Sequence, residues 1–127
     1  MKLLLDTCTF LWLAGGGTLS PRAAAAVRDQ ANDVFLSAAS VWEIVVKHRR
    51  GRLPLPEAPE QFVRSRREAR GVVPLPFDEE AAVQGARLPE LHRDPFDRML
   101  IAQAIALGLA IVTPDPLVMQ YPIRTIW

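Results

Sequence analysis

The chain has 127 residues, of which 50% are hydrophobic and 23% charged, and its net charge is +1. That size and balance suit one globular domain with a core large enough to need no covalent staples. No apolar run approaches the roughly 20 residues that span a bilayer. Met1 to Leu5 is broken by Asp6 too early for a secretory leader. A single cysteine, Cys8, excludes an intramolecular disulfide, and with only His48 and His92 beside it a structural zinc site is out of reach. The expected compartment is therefore a reducing cytoplasm.

In chain order, Lys2 to Leu5 is the first strand, followed by a short helix over Thr7 to Ala14 that stops at Gly15-Gly16-Gly17. Ser20-Pro21 is a cap with proline at the first helical position, opening an alanine-rich helix to about Ala31. Val34 to Ser37 is a second strand. Ala38 to Arg50 carries Ala39, Val41, Trp42, Ile44, Val45 and Val46 nearly all round, the pattern of a buried helix. An extended Leu53-Pro54-Leu55-Pro56 connector leads to a basic amphipathic helix over Pro59 to Arg70. Val72 to Leu75 is a third strand, and Asp78 caps a helix to about Ala86. Asp94-Pro95 begins the best-signalled helix, which runs to Leu107 and ends at Gly108. Leu109 to Thr113 and Arg124 to Trp127 are the last strands. Strands alternating with helices predict an α/β fold with a mostly parallel sheet.

Charge is uneven along this chain. Of the 15 Lys and Arg residues, Lys47, Arg49, Arg50, Arg52, Arg64, Arg66, Arg67 and Arg70 fall in one stretch. A local basic stripe on a near-neutral protein is either a solvated helical face or a binder of phosphate backbone.

Four acids stand out by position. Asp6 directly follows the first strand, Asp115 lies just beyond the strand through Val112, and ligands of parallel sheets bind outside the carboxyl ends of strands. Asp97 is in the first turn of the helix begun by Asp94-Pro95, and Glu43 interrupts an apolar helix. Capping is an alternative for Asp6, Asp94 and Asp115, with Asp97 completing a capping arrangement beside Asp94. Glu43 can reach solvent or pair with Lys47 one turn on. If Asp6, Glu43, Asp97 and Asp115 meet in space, they form an all-oxygen site suited to Mg²⁺ or Mn²⁺. Such a site supports phosphodiester hydrolysis with no side-chain nucleophile. Thr7, Ser37, Ser40 and Thr113 lie near the same sheet edge, placed to orient water or ligand, or to cap helices and bond within the core.

Other chemistries lack their parts. The glycine run follows a helix and has no Lys-Ser/Thr pair after it, so it is no phosphate loop. An aspartyl-phosphate mechanism wants an acid two positions after Asp6, where Cys8 stands. Cys8, among Leu5, Phe10 and Leu11, is expected in the core, and His92 in a surface loop.

Taken in order, these segments resemble PIN-domain proteins. The resemblance lies in Leu3-Leu4-Leu5-Asp6-Thr7, in Ser37-Ala38-Ala39-Ser40-Val41-Trp42-Glu43-Ile44 with Lys47-His48 and Gly51-Arg52-Leu53, in His92-Arg93-Asp94-Pro95-Phe96-Asp97-Arg98-Met99-Leu100-Ile101-Ala102-Gln103-Ala104, and in Val112-Thr113-Pro114-Asp115-Pro116 onward. The subgroup it is most similar to is the VapC-type ribonuclease toxins of type II toxin–antitoxin pairs. The resemblance covers essentially residues 1–127 and implies a single PIN-like domain, a three-layer α/β/α sandwich with a four- or five-stranded sheet. It implies Mg²⁺ or Mn²⁺ at Asp6, Glu43, Asp97 and Asp115, with the first three holding the main ion. It implies hydrolysis of RNA phosphodiester bonds by a metal-activated water. It further implies a homodimer and a VapB-like antitoxin, joined in a heterotetramer or larger assembly, with Lys47, Arg49, Arg50 and Arg52 meeting RNA or antitoxin. Cys8 and Thr9 stand where such proteins often carry His or Asn, and Pro114 where a basic or small residue is common. A rival from another class is a PIN-like module that binds RNA or protein without cutting; the presence of all four acids counts against it.

Overall fold

The computed structural model describes residues 1–127. Its elements run β1 (Lys2–Leu5), α1 (Thr7–Gly15), α2 (Pro21–Arg28), β2 (Asp33–Ser37), α3 (Ala38–Arg49), α4 (Pro59–Ala69), β3 (Val73–Leu75), α5 (Glu79–Ala86), α6 (Pro95–Leu107), β4 (Ala110–Val112), a 3₁₀ turn Val118–Gln120 and β5 (Thr125–Ile126). The five strands form one sheet in the order β3-β2-β1-β4-β5. Every neighbouring pair is parallel, with Leu3 opposite Val34 on one side and Ala110 on the other.

A parallel sheet is covered on both faces, and period-two alternation divides its side chains between them. Leu3, Leu5, Val34, Leu36, Ala110 and Val112 pack with Phe10 of α1, Ala23 of α2, Ile44 of α3 and Phe62 of α4. Leu4 and Ile111 point the other way, onto Leu100, Ile101 and Ala104 of α6. The result is the expected α/β/α sandwich, with five parallel strands. Leu3, Leu4 and Leu5 are all fully buried, so β1 anchors both cores, each leucine contributing about 1.5–3 kcal/mol of transfer free energy.

Local signals act as expected at the helix ends nearest the sheet edge. Asp94 accepts from the backbone N–H of Phe96 at 2.8 Å, and Gly108 closes α6 in the left-handed conformation with φ 68°. Elsewhere the boundaries move. Helix α2 stops at Arg28, short of Ala31, because Asp29 starts a turn: its carboxylate accepts from Ala31 N–H at 2.9 Å and its carbonyl from Asn32 N–H at 3.0 Å. Nor is α3 buried all round. It turns Ala39 and Ile44 inward and leaves Trp42 59% exposed, its ring edge-on to Phe96 at 5.9 Å. A helix covering one face of a sheet keeps an outer stripe however apolar its sequence.

Candidate functional site

Strand order reverses between β1 and β4: β2 and β3 lie to one side of β1, while β4 and β5 lie to the other. At this switch point the helices leave the strands in diverging directions and open a crevice. A cleft of about 170 Å³ occupies it, lined by Asp6, Thr7, Cys8, Trp12, Glu43, Lys47, Asp94, Asp97, Pro114 and Asp115. The structure thus brings Asp6, Glu43, Asp97 and Asp115 to one place from four separate segments. A larger hollow of about 780 Å³ lies elsewhere, between the ends of α1, α2 and α4, and contains none of these acids.

Each acid has its own support. Asp6 ends β1 and caps α1, accepting from Thr9 N–H at 2.7 Å. The opening turn of α1 directs Thr7, Thr9 and Phe10 inward, and Thr9 Oγ1 donates to the Val112 carbonyl at 3.0 Å, tying β1 to β4. Cys8 consequently faces outward and is exposed at the cleft, not in the core. Local desolvation and the Asp6 and Glu43 carboxylates push its thiol up.

Glu43 is 4% exposed and pairs with Lys47, so of the two alternatives open to it the structure takes pairing and not exposure to solvent. Its other oxygen accepts from Thr7 Oγ1 at 2.6 Å, and Ser40 Oγ lies 3.0 Å from the same hydroxyl. The Glu43 contact holds the Lys47 ammonium proton more firmly than usual, since the hydrogen bond outweighs desolvation. Thr113 is fully buried and accepts from Asp115 N–H at 3.0 Å, so it fixes the turn after β4.

Asp97 does not complete a cap with Asp94, which caps α6 alone. Its carboxylate instead turns toward His92, with Oδ2 3.2 Å from Nε2. Asp115 Oδ2 lies 2.9 Å from the same nitrogen, and its Oδ1 accepts from Leu117 N–H at 2.9 Å. His92 lies in a surface loop, as the sequence predicts, but its own side chain turns inward: the residue is 6% exposed, while Leu91 and Arg93 on either side of it are exposed. Arg98, on the first turn of α6, draws the loop inward by donating to the carbonyls of Gly85, Leu88, Pro89 and His92 at 3.0–3.2 Å. Tyr121 joins it from the other side, accepting from His92 N–H at 2.9 Å and donating to the Pro89 carbonyl at 2.6 Å. Sequence reasoning misses these supports, because Arg98 and Tyr121 have to fold onto the loop before His92 is covered.

The electrostatics follow from the crowding. Burial and then the Asp94 charge push Asp97 up to about 7, with Glu43 and Asp6 adding and His92 opposing. Burial likewise raises Asp6, against hydrogen bonds from Thr113 and Thr9, while Asp115 adds to the rise. Lys47 is the sole basic residue lining the cleft. Five lining carboxylates, the capping Asp94 included, against one ammonium are short of positive charge, and carboxylate oxygens are the hard donors that Mg²⁺ and Mn²⁺ prefer. The residues present fit such an ion. The tightest grouping is Asp97, Asp115 and His92, whose nearest donor atoms all lie within 4.8 Å of one another.

Arg49 and Arg50 end α3 and Arg52 follows in the next turn, all exposed. Of the remaining basic stretch, Arg66 pairs with Glu57 at 3.0 Å and lies over the Phe62 ring, so it serves α4 locally.

The architecture defines a class: an α/β/α sandwich with an acidic cleft at its switch point. Residues 3–118 match the family model described as PIN domain, and the chain belongs to that family. It is 44% identical over 54 residues to ribonuclease VapC16 of Mycobacterium tuberculosis, a stretch covering 42% of this chain and 38% of that relative. Among solved structures it is similar to VapBC2 from Rickettsia felis bound to a promoter DNA fragment, with a TM-score of 0.71 at 15% identity over 98% of this chain and 97% of that one. It is also similar to VapBC-1 from nontypeable Haemophilus influenzae, with a TM-score of 0.67 at 16% identity, covering 98% and 96% of the two chains. At those identities the likeness concerns the fold. No helix is long and apolar enough to cross a membrane.

Proposed function

We propose that this chain is a divalent-metal-dependent endoribonuclease and the toxin of a type II toxin–antitoxin pair. The observation that carries the reading is the convergence of Asp6, Glu43, Asp97 and Asp115 on one cleft at the carboxyl ends of β1 and β4. Membership of the PIN domain family and the local likeness to a relative named as a ribonuclease support RNA as the substrate.

In this reading the four carboxylates hold Mg²⁺ or Mn²⁺, which supplies Lewis-acid activation of water and neutralises phosphate charge. The chain's residues do the rest. Thr7 and Lys47 fix the Glu43 carboxylate, and Thr113 fixes the turn that carries Asp115. The narrow, partly desolvated cleft strengthens each charge interaction with a phosphate entering it. Lys47, Arg49, Arg50 and Arg52 lie on α3 and the turn after it, available to RNA backbone or to an antitoxin. Single-stranded or looped RNA fits best, because it exposes the backbone that a duplex conceals. The complexes named among the similar structures support a VapB-like antitoxin as partner. The homodimer, the joint heterotetramer or larger assembly and the cytoplasmic setting are proposed from the family resemblance alone.

Cleavage of structured RNA and matched DNA by the purified chain, titrated with Mg²⁺ and Mn²⁺, tests the reading. Wild type should cut few RNA sites and spare DNA, and Asp6→Asn and Asp97→Asn should each lose activity. Equal, metal-independent cutting by all three proteins would sink it.

A further inference from the structure

We propose that His92 is a positioning residue of the acidic cleft: it holds Asp97 and Asp115 side by side through its Nε2–H and does not itself ligate the ion. This rests on the reading of the cleft as a divalent-cation site.

The hydrogen-bond pattern assigns the tautomer. Asp94 N–H donates to His92 Nδ1 at 3.1 Å, so Nδ1 offers a lone pair and the ring proton is on Nε2. That proton faces Asp115 Oδ2 at 2.9 Å and Asp97 Oδ2 at 3.2 Å. A nitrogen that carries a proton has no lone pair left for a metal. Proximity alone would count His92 with the two acids as a three-ligand cluster, but the geometry makes it a donor to both.

The residue is built for that role. Its ring is held at Nδ1 by Asp94, its backbone N–H by Tyr121 at 2.9 Å and its carbonyl by Arg98 at 3.2 Å. Every polar group of His92 therefore has a partner, and its side chain is 8% exposed. Asp97 has no other side-chain donor, and Lys47 is committed to Glu43. Without a donor between them, two neighbouring carboxylates repel and turn apart. With one, they stay close enough to share an ion whose ligand distances are about 2.1 Å. Groups that orient metal ligands in this way typically change metal affinity by about 10–100-fold when removed.

Nitrogen-15 NMR of histidine-labelled protein tests the assignment, with His92→Gln identifying the signal against His48. The expected spectrum shows Nε2 protonated and Nδ1 unprotonated, both before and after Mg²⁺ is added. Calorimetry with Mn²⁺ gives the second readout. His92→Ala should bind about tenfold more weakly or worse, and His92→Gln, whose amide also donates, should recover most of that loss. An Nδ1–H tautomer, loss of the Nε2 proton on adding Mg²⁺, or Mn²⁺ affinity in His92→Ala equal to wild type would each overturn the proposal. A wild-type protein that binds neither ion would show a different failure, that of the metal reading itself.

Discussion

Lys47 pairs with Glu43 one helical turn away, which places the sole cation lining the cleft on its most buried acid. The pair has two opposed effects. It compensates a carboxylate that would otherwise be buried uncompensated, and it competes with any metal for that carboxylate. Lys47→Met should therefore lower stability in EDTA and raise affinity for Mn²⁺ by a few-fold. Because the Lys47 side chain is 45% exposed, solvent screens its share, and the stability loss should be about 1 kcal/mol. Thermal melts and Mn²⁺ calorimetry on the same protein check both signs. Weaker Mn²⁺ binding in the variant would contradict the competition.

Asp97 makes metal-free stability depend on pH. Its carboxyl is raised from 3.8 to about 7, first by burial and then by Asp94. Between these values the folded state holds the Asp97 proton more than the unfolded state does, so the stability this carboxyl contributes is full below about pH 4 and is lost as pH rises through about 7. Asp6, also raised, contributes in the same direction. Urea midpoints in EDTA should thus fall from acidic to mildly alkaline pH, and Asp97→Asn should flatten the slope. Above neutrality that variant should be more stable than wild type by roughly 3–4 kcal/mol, the rise from 3.8 to about 7 converting at about 1.4 kcal/mol per pH unit. Saturating Mg²⁺ should restore wild-type stability at alkaline pH. An unchanged slope in Asp97→Asn would place its origin elsewhere.

The parts of this site that depend on local chain order are legible in the sequence. Asp94-Pro95 and Gly108 bracket α6 because capping and left-handed closure are local. Asp6 and Asp115 read as strand-end residues because an apolar run stops beside each. Pairings between distant segments are not legible. Cys8 faces out only because Thr9 reaches the Val112 carbonyl, and His92 is covered only because Arg98 and Tyr121 close over its loop. Asp115, to which the family resemblance gives a lesser part than Asp97, is brought close to it through His92, a pairing set by tertiary structure.

Gly17 should be intolerant of even a methyl group. A Cβ there would meet Trp12 Cβ at 2.7 Å and Cδ1 at 2.8 Å, and Gly17 N–H donates to the Trp12 carbonyl at 2.8 Å. Trp12 lines the acidic cleft and packs against Trp127 with ring centroids 5.7 Å apart. Gly17→Ala should cost about 1–3 kcal/mol, as overpacking does, and change tryptophan fluorescence in the folded state. Gly15→Ala is the control, since nothing lies within 4 Å of its added Cβ. Equal stability of the two variants would show that the Trp12 wall yields.

Arg49, Arg50 and Arg52 offer a last test, because none takes part in an ion pair and all are exposed. Replacing the three with alanine should leave stability within about 0.5 kcal/mol of wild type. If they meet RNA phosphates, the triple variant should bind RNA more weakly, with Ca²⁺ present to hold off cleavage. Its dependence of log K on log salt should also be shallower, by about 0.7 for each phosphate of single-stranded RNA that is no longer neutralised. Turnover at saturating RNA should change little, since these side chains lie outside the acidic cleft. A salt slope identical to wild type would remove them from the RNA path and leave the antitoxin as the partner to test, by the same variant's retention on an immobilised antitoxin.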